Sequence, residues 1–209
     1  MRILKRDDDI FGFTDKCVAV YRKRIMRIFN KLKRSIVGMD EMNVLAQVNL
    51  CFVEIIAETV ACLKKIAKRK YNWICEDEFD EDMWLDEYLE QFNKVTGYKF
   101  YPEADRKRAR TFESILSVKT TSDKNKAIDK ALRLWILQLK QYADNVTIEV
   151  IAQAYEDSGV EKIMLITQRD EKVCGECHPI DGKIVALKDN PLPLHYNCRC
   201  YFIPVINQT

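Results

Sequence analysis

The sequence is poor in chain breakers, with 6 glycines and 5 prolines among 209 residues, which excludes collagen-like repeats and Pro/Gly-rich disorder. It has almost no net charge: 34 Lys and Arg stand against 32 Asp and Glu, leaving +2. Such a balance gives no overall attraction to nucleic acid or to an anionic membrane, so an electrostatic role must come from local clustering. No long apolar run is free of polar residues. The most apolar window, Val44 to Leu63, is interrupted by Gln47, Asn49, Glu54 and Glu58, and predicts a buried helix rather than a membrane span. The first nine residues hold no apolar stretch before the acids Asp7, Asp8 and Asp9, so no secretory signal is expected and a reducing cytoplasm is the expected compartment. A Walker A loop, a Gly-x-Ser-x-Gly elbow and a His-Glu-x-x-His helix are all missing, and no histidine precedes Cys174 to complete a deaminase signature. The expectation is a protein that is not an enzyme.

What the chain does have is 47% hydrophobic and 32% charged residues, a globular composition. Periodicity predicts helices at 15–36, 41–70, 80–95, 103–119 and 124–157. In the second, Val44, Val48, Phe52, Ile55, Leu63 and Ile66 recur at three-and-four spacing, Asp40 is placed to cap the start, and Lys64, Lys65, Lys68, Arg69 and Lys70 crowd the end. The last helix carries Ile128, Leu132, Trp135, Leu139 and Tyr142 on one face and is expected to bend or break near Asp144-Asn145. Beyond Gly159 the pattern turns short and strand-like, at 162–167, 183–187 and 200–205, with turns at Asp181-Gly182 and Asn190-Pro191. The expected architecture is mainly α: a multi-helix bundle over 1–159 and a small β-rich Cys/His module over 160–209. About fifty residues bury too little to hold themselves together, so something else must.

Four of the 8 cysteines and both histidines fall between Cys174 and Cys200. Cys174-Gly-Glu-Cys177 is a knuckle that can direct two thiolates at one ion, and His195-Tyr-Asn-Cys198-Arg-Cys200 offers a second set about twenty residues on, the spacing of a closed structural zinc site. The candidate ligands are Cys174, Cys177, His195, Cys198 and Cys200. Cys198 and Cys200 flank Arg199 and point to one side, so spacing does not choose between them, and His178 is the natural spectator. A cluster of reduced thiols and a redox pair are the other readings, although the turn after Cys177 does not suit a thioredoxin-like motif. An open catalytic zinc would need a base such as Glu176 or Asp181, and enough ligands are present to close the site.

Several of these features stand in a fixed order: Val160-Glu161 leading to Thr167, Asp170, Val173-Cys174-Gly-Glu-Cys177, Asp181-Gly182-Lys183 and Pro193-Leu194-His195-Tyr196-Asn197-Cys198-Arg199-Cys200. In that order the segment 145–206 resembles the C-terminal module of phage minor head proteins, the Mu F-like and SPP1-type head morphogenesis family. Leu165-Ile166 stands where that pattern usually has an aromatic, and the helices before the module carry no matching motif. The resemblance implies a minor capsid protein of the virion, bound to the portal inside the head in several copies, with portal and head proteins as partners and packaged double-stranded DNA nearby. In that setting a zinc-held module would present Arg199 as part of a rigid surface.

Two charged segments complete the inventory. Residues 16–34 hold eight Lys or Arg and no acid; Arg22, Lys23, Arg24, Arg27, Lys31, Lys33 and Arg34 form a candidate surface for nucleic acid or an acidic partner, or else a solvated helix face. Nine acids lie between Glu76 and Glu90 and complement that helix within or between subunits, or mark a partner site. Trp73, Trp84 and Trp135 read as core, and Cys17, Cys51, Cys62 and Cys75 as inert buried thiols.

Overall fold

The computed structural model describes residues 1–6, 8–167 and 175–206. Five helices come first, α1 (Gly12–Ser35), α2 (Glu41–Ile74), α3 (Glu81–Leu89), α4 (Phe100–Leu116) and α5 (Thr121–Asp157), followed by strands β1 (Lys162–Ile166), β2 (Ile184–Ala186) and β3 (Tyr201–Pro204). The protein is mainly α with a small β-rich C-terminal module, as the periodicity predicts.

Local chemistry sets most boundaries. The Asp40 side chain accepts from Asn43 N–H at 2.8 Å and starts α2, and Thr120 accepts from Asp123 N–H at 3.1 Å and starts α5. The third helix is shorter than expected. It stops at Leu89 because Asn93 folds the following chain into a turn, its side-chain oxygen taking the N–H groups of Val95 and Thr96 at 3.0 and 2.9 Å. The expected break in α5 is absent: the helix runs on through Asp144 and Asn145, both buried.

α1, α2 and α5 pack against one another, and α4 lies against α2 and α5. Phe52 sits edge-on to Phe29 and to Trp135, with centroids 6.3 and 5.5 Å away, and the buried Trp135 indole donates to Thr59 Oγ1 at 3.0 Å. Trp73 and Trp84 are only partly buried, so the core reading holds in full for Trp135 alone. α2 is long and apolar enough to cross a bilayer by length and composition. One of its faces is buried in the bundle, while Met42, Leu50 and Val53 remain exposed on the other.

The strands form an antiparallel sheet in the order β2-β1-β3, with Met164 opposite Ile184 on one side and Ile203 on the other. The sheet continues the helical core: Phe202 packs on Tyr155 of α5 at 6.1 Å between ring centroids, and the Tyr155 hydroxyl accepts from Leu4 N–H at 3.1 Å.

Candidate metal centre

Three thiols converge in the C-terminal module. Cys177, Cys198 and Cys200 are all buried, and their sulfur atoms lie within 4.8 Å of one another. Cys177 Sγ is 3.9 Å from Cys198 Sγ and 3.0 Å from His195 Nε2. His195 Nδ1 lies 2.7 Å from the Tyr196 carbonyl, which can only accept, so Nδ1 carries the ring hydrogen and the Nε2 lone pair faces the sulfur. The three thiols could together hold a metal ion, and His195 stands beside Cys177 at the edge of that group. Cys174 lies outside the described residues, and exposed His178 stands apart from the thiol group.

The chain reaches this geometry through two turns. Cys177 precedes the short turn His178–Ile180, where Ile180 N–H donates to Cys177 O at 3.1 Å. Asp181 then accepts from Thr167 N–H at 2.9 Å and from Arg6 at 3.0 and 3.1 Å, fixing the turn between the first cysteine and β2. These hydrogen bonds, the Thr167 amide foremost, hold the Asp181 carboxyl below the usual aspartate range. On the other side, Asn197 adopts φ 57°, a left-handed conformation that asparagine tolerates, and Cys198 N–H closes the turn on His195 O at 3.2 Å.

That second turn is clamped by α5. The buried Gln141 oxygen accepts from Asn197 N–H at 2.8 Å while its amide donates to Asn145 at 2.7 Å. Next to it, Arg199 pairs with Asp15 at 2.9 Å and lies over the Phe11 ring at 4.7 Å; Lys140 links Asp15, at 3.5 Å, to the buried Asp144, at 2.8 Å. Arg199 is therefore bound to the helical body instead of being presented on a free surface. The polar run in α5 that suggested a break is the support of the cysteine turn, a role invisible to periodicity because its partners lie more than fifty residues away.

The thiols are electrostatically unequal. A hydrogen bond from Cys200 draws the Cys198 thiol well below its usual pKa against the desolvation of its site, and Cys200 keeps its proton. Elsewhere burial dominates: with smaller contributions from neighbouring charges it pushes Cys51 and Cys62 up to about 12, fitting their reading as inert thiols. Among the described residues no cysteine is in a disulfide.

The basic residues of α1 are dispersed by comparison. Arg24 pairs with Glu58 at 3.2 Å, Lys31 with Glu54 at 3.0 Å and Lys33 with Asp129, whereas Arg22, Lys23, Arg27 and Arg34 extend into solvent. The acidic segment is met by α2, through Lys64–Asp82 and Lys68–Glu81, both 2.8 Å.

The chain matches no family model, no curated protein and no solved structure.

Proposed function

We propose that this is a zinc-stapled minor head protein of a phage or prophage, associated with the portal and assisting head assembly and DNA packaging or ejection. The observation that carries the zinc reading is the convergence of Cys177, Cys198 and Cys200 with His195. Thiolates about 2.3 Å from a tetrahedral zinc lie roughly 3.8 Å apart, and Cys177 and Cys198 stand 3.9 Å apart. Soft sulfur donors with one imidazole favour zinc over hard cations. Zinc would supply folding energy by crosslinking the two turns, Cys177 before β2 and His195 to Cys200 before β3. Four protein ligands leave no place for a reactive water, so the site's work is structural.

The assignment to phage heads rests on the order of motifs from Val160 to Cys200. Its partners are accordingly the portal and other head proteins, and its place is the head interior, with the host cytoplasm as site of assembly. Affinity purification of the tagged chain from cells producing its native particles, with mass spectrometry after a high-salt wash, tests the reading. Portal and head proteins are expected to remain, with one zinc per chain by elemental analysis. Absence of both head proteins and zinc from the washed sample would overturn it.

A second reading, a nucleic-acid-binding zinc protein, draws on exposed Arg22, Lys23, Arg27 and Arg34 of α1. It requires salt-sensitive binding of the isolated chain to double-stranded DNA, and no binding at low salt removes it.

A further inference from the structure

α2 carries an apolar stripe on the side turned away from the bundle. Met42, Leu50 and Val53 are 80, 56 and 66% exposed, and Ala46, Ala57 and Ala61 are exposed with them. Met42 and Val53, Ala46 and Ala57, and Leu50 and Ala61 each stand eleven positions apart. Three turns of α-helix take about eleven residues, so the stripe runs almost straight along α2 for roughly 28 Å. Scattered apolar residues on a surface are ordinary, but a continuous row of them marks a contact.

The edges of the stripe are polar and already tied down. On the α1 side Glu54 and Glu58 pair with Lys31 and Arg24, and on the α4 side Arg108 donates to Asn49 at 2.6 Å. α3, held through Lys64–Asp82 and Lys68–Glu81, closes the far end.

We propose that this stripe joins two copies of the chain as an antiparallel α2–α2 dimer. The spacing of its residues, 42, 46, 50, 53, 57 and 61, reads the same from either end. Two antiparallel copies therefore match at every position: Met42 faces Ala61, Ala46 faces Ala57 and Leu50 faces Val53, each with the reciprocal pair that a two-fold axis requires. Large meets small at the ends, and the facing alanines let the helix axes approach. A parallel pair would instead set Met42 on Met42 and Ala61 on Ala61. The charges agree with the antiparallel choice. Asp40 and Lys65 lie at opposite ends of the same flank of α2, both exposed and in no ion pair among the described residues. Antiparallel pairing brings Lys65 of each copy alongside Asp40 of the other, whereas parallel pairing sets Lys65 beside Lys65. α3 does not obstruct the contact. Lys64 faces Met39 of the second copy, before the start of its α2, so each α3 passes the end of the other helix. Neither a bilayer nor an unrelated helix would call for this internal match of size and charge.

Sedimentation equilibrium of the full chain tests the pairing independently of its metal content and of the phage-head reading. One stripe is smaller than the interface of an obligate dimer, so a reversible dimer with a dissociation constant of about 1–100 μM is expected. Leu50→Glu/Val53→Glu, both exposed in the single chain, should weaken it by about a hundredfold with unchanged helical circular dichroism. Met42→Ala should weaken it by about tenfold, and adding Ala61→Met, which exchanges large and small across the contact, should restore it. Lys65→Glu should weaken it by about fivefold at low salt and less at high salt. A chain that stays monomeric at about 500 μM overturns the proposal, whether or not it then binds phospholipid vesicles or another protein through the stripe. So does a dimer that survives Leu50→Glu/Val53→Glu. Failure of Ala61→Met to rescue Met42→Ala refutes the antiparallel match and the proposal with it.

Discussion

The helical bundle and the C-terminal module solve the same problem with different materials. In the bundle, long amphipathic helices bury Phe29, Phe52, Ile55, Leu63 and Trp135 at close to zero exposure, and dispersion and dehydration hold the fold. In the module, three strands of three to five residues have few large side chains to offer, and directional groups take over: polar ties to α5 and to the N-terminal segment, and three clustered thiols that could hold a metal ion. The bundle is tolerant of where each apolar residue sits along a face. The module depends on single atoms.

That contrast can be broken at its strongest point. Cys177→Ser removes one donor from the thiol group, and because structural zinc contributes on the order of 10 kcal/mol in small modules, the expected outcome is loss of bound zinc and of the module's ordered NMR resonances while the helical circular dichroism persists. An unchanged zinc content would contradict it. In the bundle the corresponding injury is a cavity. Phe52→Ala should lower stability by about 3–5 kcal/mol in urea titration and leave zinc stoichiometry unchanged.

A subtler probe lies where the two regions meet. Gln141→Ala deprives the Asn197 N–H of its acceptor and should cost about 0.5–1.5 kcal/mol, with zinc affinity falling roughly 10–100-fold, the usual effect of losing a group that orients a metal ligand. If affinity for zinc is unaffected, the clamp serves stability alone. The smallest effect is expected at Asp181, whose carboxyl is held below the usual range by the Thr167 amide and Arg6. A depressed folded pKa gives stability that is present above the unfolded value of about 3.9 and disappears as pH falls through the folded value. Asp181→Asn should therefore destabilise the chain at neutral pH by less than about 1 kcal/mol, since the pair is partly exposed, and the difference should vanish in acid melting curves.

The same contrast explains what was legible in the sequence. Helices of twenty or more residues repeat their periodicity often enough to be unmistakable, and the strands are bracketed by turn residues; each of the five helices and three strands overlaps the segment that the pattern marks, although α3 ends early. Starts were harder to read, since the Thr120 cap is one hydroxyl, and α3 ends on an Asn93 turn that resembles continued helix until its acceptor is seen. The cysteine spacing brings Cys177, Cys198 and Cys200 to notice together, and their convergence puts both Cys198 and Cys200 within reach of one ion. Their support was hidden. Gln141, Asp144 and Asn145 look like a fault in an apolar stripe unless the turn at Asn197 and the Asp15–Arg199 pair are in view.

One further consequence concerns force. The beginning of the chain grips its end: Arg6 holds Asp181, its carbonyl accepts the Tyr201 hydroxyl, and Asp15 holds Arg199. Pulled at its two ends, the molecule would load these contacts before any helix, so the region that resists mechanical extension first is the one that sequence length would place at opposite extremes.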